Sequence, residues 1–245
     1  YNVHTPLQAK QDKINKYKFL VNPANKQQNP VYAAMVEHVD DAVGRVVASL
    51  KEQRLYDNTI IILTSDNGGL IGKNKQVTSN FPLRSGKGDM YEGGVRVALI
   101  IKNINQDKKG TTNSYPVIST DFLPTLVDML DLPATKWEKK NFDGVSLKPL
   151  LSDKCKKLKR NAIFWHYPHY HIEGATPYSA VRDGDWKLIN ILEEDKYELY
   201  NLRNDIGETT DVAAQNPKVV KKLMKELNQW KKKMGAQMPT LRTEK

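Results

Sequence analysis

Asp66 and Asn67 stand side by side in Ser65-Asp66-Asn67-Gly68-Gly69, directly behind the apolar run Thr59–Thr64. Two adjacent side-chain oxygens, with glycines that let the backbone come close, suit calcium or magnesium better than zinc. The same residues are also good turn formers, because Asp and Asn bond their own backbone and glycine turns freely. Both readings stay open on these residues alone. Lys87 lies between two glycines in Pro82-Leu83-Arg84-Ser85-Gly86-Lys87-Gly88. There it is a compact positive charge on an unobstructed loop, suited to an oxygen of sulfate or phosphate. It is not part of a P-loop, since no Gly-x-x-x-x-Gly-Lys-Ser/Thr surrounds it. A third group is the run Phe164-Trp165-His166-Tyr167-Pro168-His169-Tyr170-His171. Stacked rings and histidines can face a sugar, which makes His166 and His169 candidate substrate contacts. Alternating inward and outward positions of a strand produce the same pattern.

The elements that must position these groups read as an α/β chain. Asn29-Pro30 supplies a cap and a first-turn proline. After it Tyr32, Met35, Val36, Val39, Val43, Val46, Val47 and Leu50 form one apolar helix stripe, opposite Asp40, Asp41, Arg45, Lys51 and Glu52. Thr59–Thr64 does not alternate and predicts a central parallel strand covered on both faces. A second strand is expected over Val95–Ile101. A second helix is expected after Ser119-Thr120-Asp121, with Phe122, Leu123, Leu126, Val127 and Leu130 inward. Strand, helix, strand, helix is the α/β order. Beyond about Leu151 the character changes. A connector rich in Lys154, Lys156, Lys157, Lys159 and Arg160 leads to four short strands, Ala162–Tyr167, Tyr178–Arg182, Trp186–Leu192 and Tyr197–Leu202. Turns at Asp183-Gly184-Asp185 and at Glu193–Lys196 make them an antiparallel meander. A terminal helix after Asn216-Pro217 buries Val220, Leu223, Leu227, Trp230 and Met234. The opening Tyr1–Gln28 is polar, weakly periodic and without a start methionine, and reads as the interior of a longer chain.

Composition narrows the function classes. With 38 basic and 28 acidic residues the 245-residue chain carries a net charge of +10, which favours polyanionic partners. No run approaches the roughly 18 apolar residues of a membrane span, and no signal peptide is visible. A single cysteine, Cys155, excludes an internal disulfide framework and a Cys-based zinc cage. No nucleic-acid motif accompanies the charge. The lysines at 221–222 and 231–233 read as a solvated helix face.

Taken in order, Thr59–Gly69, Pro82–Gly88 and Tyr91-Glu92-Gly93-Gly94-Val95-Arg96-Val97 resemble the sulfatase family of the alkaline phosphatase superfamily. The likeness extends over Tyr32–Gly44, Thr120–Leu126 with Phe142–Leu147, and then Val181–Leu188, Glu198–Leu202 and Asn204–Thr210. The resemblance implies an alkaline-phosphatase-like mixed sheet flanked by helices, present in part over residues 1–152. It implies a small antiparallel subdomain with a terminal helix over 153–245. The activity implied is hydrolysis of a sulfate ester on a small molecule or glycan. Asp66 and Asn67 match the second pair of ligands for a divalent cation, usually calcium. Lys87 matches the lysine that holds the sulfate, and His4 a histidine that stabilises the leaving alkoxide. The family's nucleophile is a formylglycine made from Cys or Ser in C/S-x-P-x-R, and that motif is absent. Cys155 has the wrong context, and the residue two before Pro82 is Asn80, which cannot be oxidised to an aldehyde. The family's first metal aspartates are absent too. The expectation is therefore a C-terminal half, inactive alone, whose partner is the missing N-terminal half, from a bacterial periplasmic or secreted protein. Two alternatives remain: a phosphatase or phosphodiesterase of the same superfamily, and a non-catalytic basic glycan-binding module.

Overall fold

The structure, a computed structural model, describes residues 2–22, 24–72, 77–104, 110–133, 142–151 and 158–240. Helix α1 (Gln11–Lys18) is followed by α2 (Pro30–Glu52), β1 (Ile61–Thr64), the short α3 (Glu92–Val95), β2 (Leu99–Lys102), α4 (Phe122–Met129) and α5 (Lys148–Leu151). Four strands then form a meander in the order β3 (Ile163–Tyr167), β4 (Tyr178–Asp183), β5 (Trp186–Ile191), β6 (Lys196–Asn201), closed by α6 (Pro217–Met234). The expected boundary at 152/153, Cys155 and the lysines at 154, 156 and 157 lie outside the described residues.

Helix α2 starts where its cap predicts, with Asn29 Oδ1 accepting from the Val31 and Tyr32 amides. Its stripe is only partly covered: Met35 is buried, whereas Val36 and Val46 are exposed. Polar α1, which its lack of an apolar stripe hides from a periodicity reading, docks on α2 by charge. Lys13 Nζ lies 2.6 Å from Glu37 and 2.9 Å from Asp41, and Lys16 lies 3.1 Å from Glu37. These contacts hold the Glu37 carboxyl down to about 2, chiefly through the Lys13 hydrogen bond.

The first sheet departs from expectation. β1 pairs antiparallel with β2, Ile61 opposite Lys102 and Thr64 opposite Leu99, and Leu63 and Ile100 are exposed. A β-branched run reports the demand for burial, not the direction of the neighbouring strand. The second strand starts at Leu99 instead of Val95, because Glu92–Val95 turns into α3. Behind it, buried Asp121 accepts from the Ile118 and Val145 amides and from Arg160 Nη1 at 2.6 Å. One carboxylate thus ties the start of α4 to the segment before α5.

In the meander the period of two decides which residues meet which layer. Val181, Leu188 and Leu199 face α6, joined by Leu223 and Leu227. Phe164 stacks on Trp230 at 5.0 Å and 5°. Ala180, Ile189 and Tyr200 face the other way, onto Met90 and Tyr91. The small sheet is thus sandwiched between its own helix and the loop that leads into α3.

Candidate active site

Three loops converge beyond the end of β1. Gly68 N–H donates to Gly94 O (2.9 Å), Gly93 N–H to Arg84 O (2.8 Å) and Lys87 N–H to Gly69 O (3.1 Å). The approach needs glycine: a Cβ on Gly68 would overlap the Gly93 carbonyl. Asn80 staples the loops together. Its Oδ1 accepts from Gly69 N–H, and its Nδ2 donates to Gly69 O and Ser85 O, all within 3.0 Å. The residue that disqualifies the local P-x-R as a nucleophile motif is therefore a structural clamp. Arg84 of that motif points away from the site. Its guanidinium lies 3.6 Å over the Tyr91 ring, and Nη1 donates to Tyr200 Oη and Glu208 O.

Lys87 and His4, 83 residues apart, meet: Lys87 Nζ is 3.0 Å from His4 Nε2. His4 Nδ1 contacts Thr5 O at 2.8 Å. A carbonyl only accepts, so Nδ1 carries the ring proton and Nε2 accepts from the ammonium. Asp66 is exposed at the end of β1, and its Oδ1 accepts from the Asn67 amide at 2.9 Å. Asn67 Nδ2 donates to Gly68 O at 2.9 Å, which leaves its Oδ1 as a neutral acceptor. Asp66, Asn67, Lys87, Trp165, Tyr167 and His171 all line one open groove of about 1300 Å³.

The histidines singled out in the aromatic run do not line this groove. His166 lies on the opposite strand face from Trp165 and Tyr167, with Nδ1 2.8 Å from Ser179 Oγ and Nε2 2.6 Å from Gln237 O. Both nitrogens are occupied there. His169 is exposed and packs edge-on against Tyr167 at 5.5 Å. His171, the last residue of the run, is the one that reaches the groove.

A buried charge cluster, missed in the sequence, connects the site to the small sheet. Lys187 is fully buried with Nζ 3.0 Å from Glu92 Oε1 and 3.0 Å from Glu208 Oε1. At that distance the Glu208 contact is an ion pair. Glu208 Oε2 accepts from the Glu92 amide at 2.5 Å, and Arg182 holds Glu92 Oε2 at 3.0 Å. Burial pushes the Glu208 carboxyl up, against the pull of Lys187. Nearby, Glu198 Oε2 accepts from both the Tyr91 and Tyr200 hydroxyls at 2.8 Å. Burial drives both phenols up, the Glu198 hydrogen bond adding to it. Strand parity is the signal that could have found the cluster: Lys187 shares a face with apolar Ile189 and Ile191.

The sulfatase family model matches residues 1–132, and that for the C-terminal region of N-sulphoglucosamine sulphohydrolase matches residues 86–233. The chain belongs to the sulfatase family. It is 35% identical to a sulfatase of Formosa agariphila over 230 residues, 88% of this chain and 41% of the relative. The crystal structure of Ps i-CgsB with k-i-k-neocarrahexaose superposes with a TM-score of 0.78 at 30% identity, over 99% of this chain and 50% of that one. The structure of BT4656 with its substrate D-glucosamine-2-N,6-O-disulfate gives a TM-score of 0.70 at 31% identity, over 83% and 40%. This sulfatase chain thus spans about half the length, or less, of the relatives it matches. Among the described residues no group of three or more His, Cys, Asp or Glu could hold a metal. No described helix is long and apolar enough to cross a membrane. The donors at Asp66 and Asn67 are of the hard-oxygen type that calcium takes, but they number two where calcium wants roughly six to eight. By themselves they could fill only part of such a shell.

Proposed function

We propose that the protein containing this chain hydrolyses a sulfate ester on a saccharide, and that this chain supplies the groups that hold the sulfate. The observation that carries the reading is the Lys87–His4 contact at 3.0 Å beside the Asp66-Asn67 loop, in a chain of the sulfatase family. Lys87 is a compact donor on a loop whose backbone is fixed by Gly69, so its ammonium can meet a sulfate oxygen without reorganising. In this reading His4, in contact with Lys87, serves the bridging oxygen as it departs. When the ester enters, Lys87 donates to a non-bridging oxygen in place of His4 Nε2. The released Nε2 takes a proton from solvent and passes it to the leaving alkoxide, which returns the ring to its neutral form. Asp66 and Asn67 would hold part of the shell of a calcium ion, whose chemistry is to draw charge from the sulfate oxygens. The formylglycine nucleophile that the family implies has no source motif in these 245 residues and comes from an N-terminal half of the protein. The two expected units, 1–152 and 153–245, divide this labour: the first carries the sulfate-holding groups and the second closes the groove. A periplasmic or secreted location fits a sulfated glycan as substrate.

The test is sulfate release by the full-length protein from a 6-O-sulfated glucosamine, run beside phosphate release from an aryl phosphate. Sulfate release supports the reading. Phosphate release without sulfate release assigns the site to a phosphatase, and saturable binding with no turnover of either assigns it to a glycan-binding module.

A further inference from the structure

The loop after β3 brings one side chain back onto the sulfate-holding loop. Gly88, next to Lys87, has φ of +87°, and a Cβ there would lie 2.9 Å from Cγ of His171 and closer still to Nδ1 and Cε1. The imidazole therefore packs on bare backbone one residue from Lys87, and any larger residue at position 88 would displace it. Its own loop is tightly wound: His171 N–H donates to Ala175 O and Gly174 N–H to His171 O, both at 2.9 Å. Glu173 N–H donates to His171 Nδ1 at 3.2 Å. A ring whose Nδ1 accepts carries its proton on Nε2. Among the described residues that Nε2–H has no hydrogen-bond partner, while the ring lines the same groove as Asp66, Asn67 and Lys87. Tyr167 meets the ring edge-on at 6.0 Å.

A donor with a fixed tautomer, held by a hydrogen-bonded loop on the wall of the groove and left without a partner among the described residues, is what a site uses to read a substrate oxygen. We infer that His171 is a substrate-contacting, specificity-determining residue: its Nε2–H donates to an oxygen of the saccharide that carries the scissile sulfate. The inference rests on the sulfatase reading above and assigns a role that reading leaves open. Trp165 and Tyr167 in the same groove offer apolar ring surface for the sugar, so the recognised group is a sugar oxygen bordered by a carbon face. A small aryl sulfate, which lacks that oxygen, does not engage His171.

The experiment uses the full-length enzyme with two substrates, a sulfated monosaccharide that it turns over and a small aryl sulfate. His171→Phe keeps a ring against Gly88 and removes the donor; His171→Gln keeps an N–H donor. His171→Phe is expected to lower kcat/KM for the saccharide about tenfold more than for the aryl sulfate, chiefly through KM, the scale of one lost hydrogen bond. His171→Gln is expected to recover part of that selectivity. Equal losses on the two substrates, or no difference between the Phe and Gln variants, overturn the inference and leave the sulfatase reading standing. A wild-type enzyme that releases sulfate from neither substrate overturns both.

Discussion

Replacing Lys187 by methionine removes the one cation shared by two buried carboxylates and keeps nearly the same volume. Glu92 retains Arg182 at 3.0 Å and Arg96 at 3.7 Å. Glu208, itself fully buried, keeps only the Glu92 amide among the described residues. An uncompensated buried carboxylate of this kind costs about 3–5 kcal/mol. The cost depends on pH in a direction that can be worked out. Burial already holds the Glu208 carboxyl above its ordinary 4.5, with Lys187 opposing. Without Lys187 it rises further, and each pH unit of rise corresponds to about 1.4 kcal/mol. A folded-state pKa above the unfolded value means the native state binds the proton more tightly. The penalty is therefore full above the folded pKa and fades as pH falls toward 4.5. Urea unfolding of the full-length protein should show Lys187→Met about 3–5 kcal/mol less stable at pH 8 and closer to wild type at pH 5. Adding Glu208→Gln should restore more than half of the loss at pH 8. A loss below about 1 kcal/mol at pH 8, or a double variant no better than the single one, would refute the argument that the charge, and not the packing, is what Lys187 contributes.

Three further outcomes are expected of the full-length protein. Lys87→Ala should lower kcat by at least about 100-fold, the scale of losing one oxyanion donor, with unfolding nearly unchanged; Lys232→Ala on the solvated face of α6, assayed beside it, should have little effect, and equal effects would sink the sulfate assignment. Asp66→Ala should abolish calcium binding by calorimetry together with activity, and retained tight binding would mean that the ligand set is wrong. Asn80→Ala should cost about 2–3 kcal/mol for three hydrogen bonds lost near Gly69 and Ser85, and should lower kcat/KM by slackening the backbone under Lys87; unchanged urea midpoint and activity would show that the loops hold without the clamp.

What the sequence determined by itself was local and periodic. The Asn29 cap, the stripe of α2, the α4 helix and all four strands of the meander are written in spacing of 3.6 or 2. The observed elements lie within a few residues of those readings. Asp66-Asn67 and Gly86-Lys87-Gly88 stood out as candidate chemistry because residue type and loop context suffice to nominate them. Only the tertiary structure could bring His4 to Lys87 across 83 residues, since no periodicity links a loop near residue 4 to one near residue 87. It also set His171, and not His166, on the lining of the groove, because which face of β3 meets the groove is set by what packs on the other face, where Phe164 and Trp230 stack. The antiparallel pairing of β1 with β2 and the Glu92–Lys187–Glu208 cluster belong to the same class. Strand direction and buried charge pairing are long-range choices. A side chain's own sequence neighbours carry no information about the partner that neutralises it or the strand that covers it.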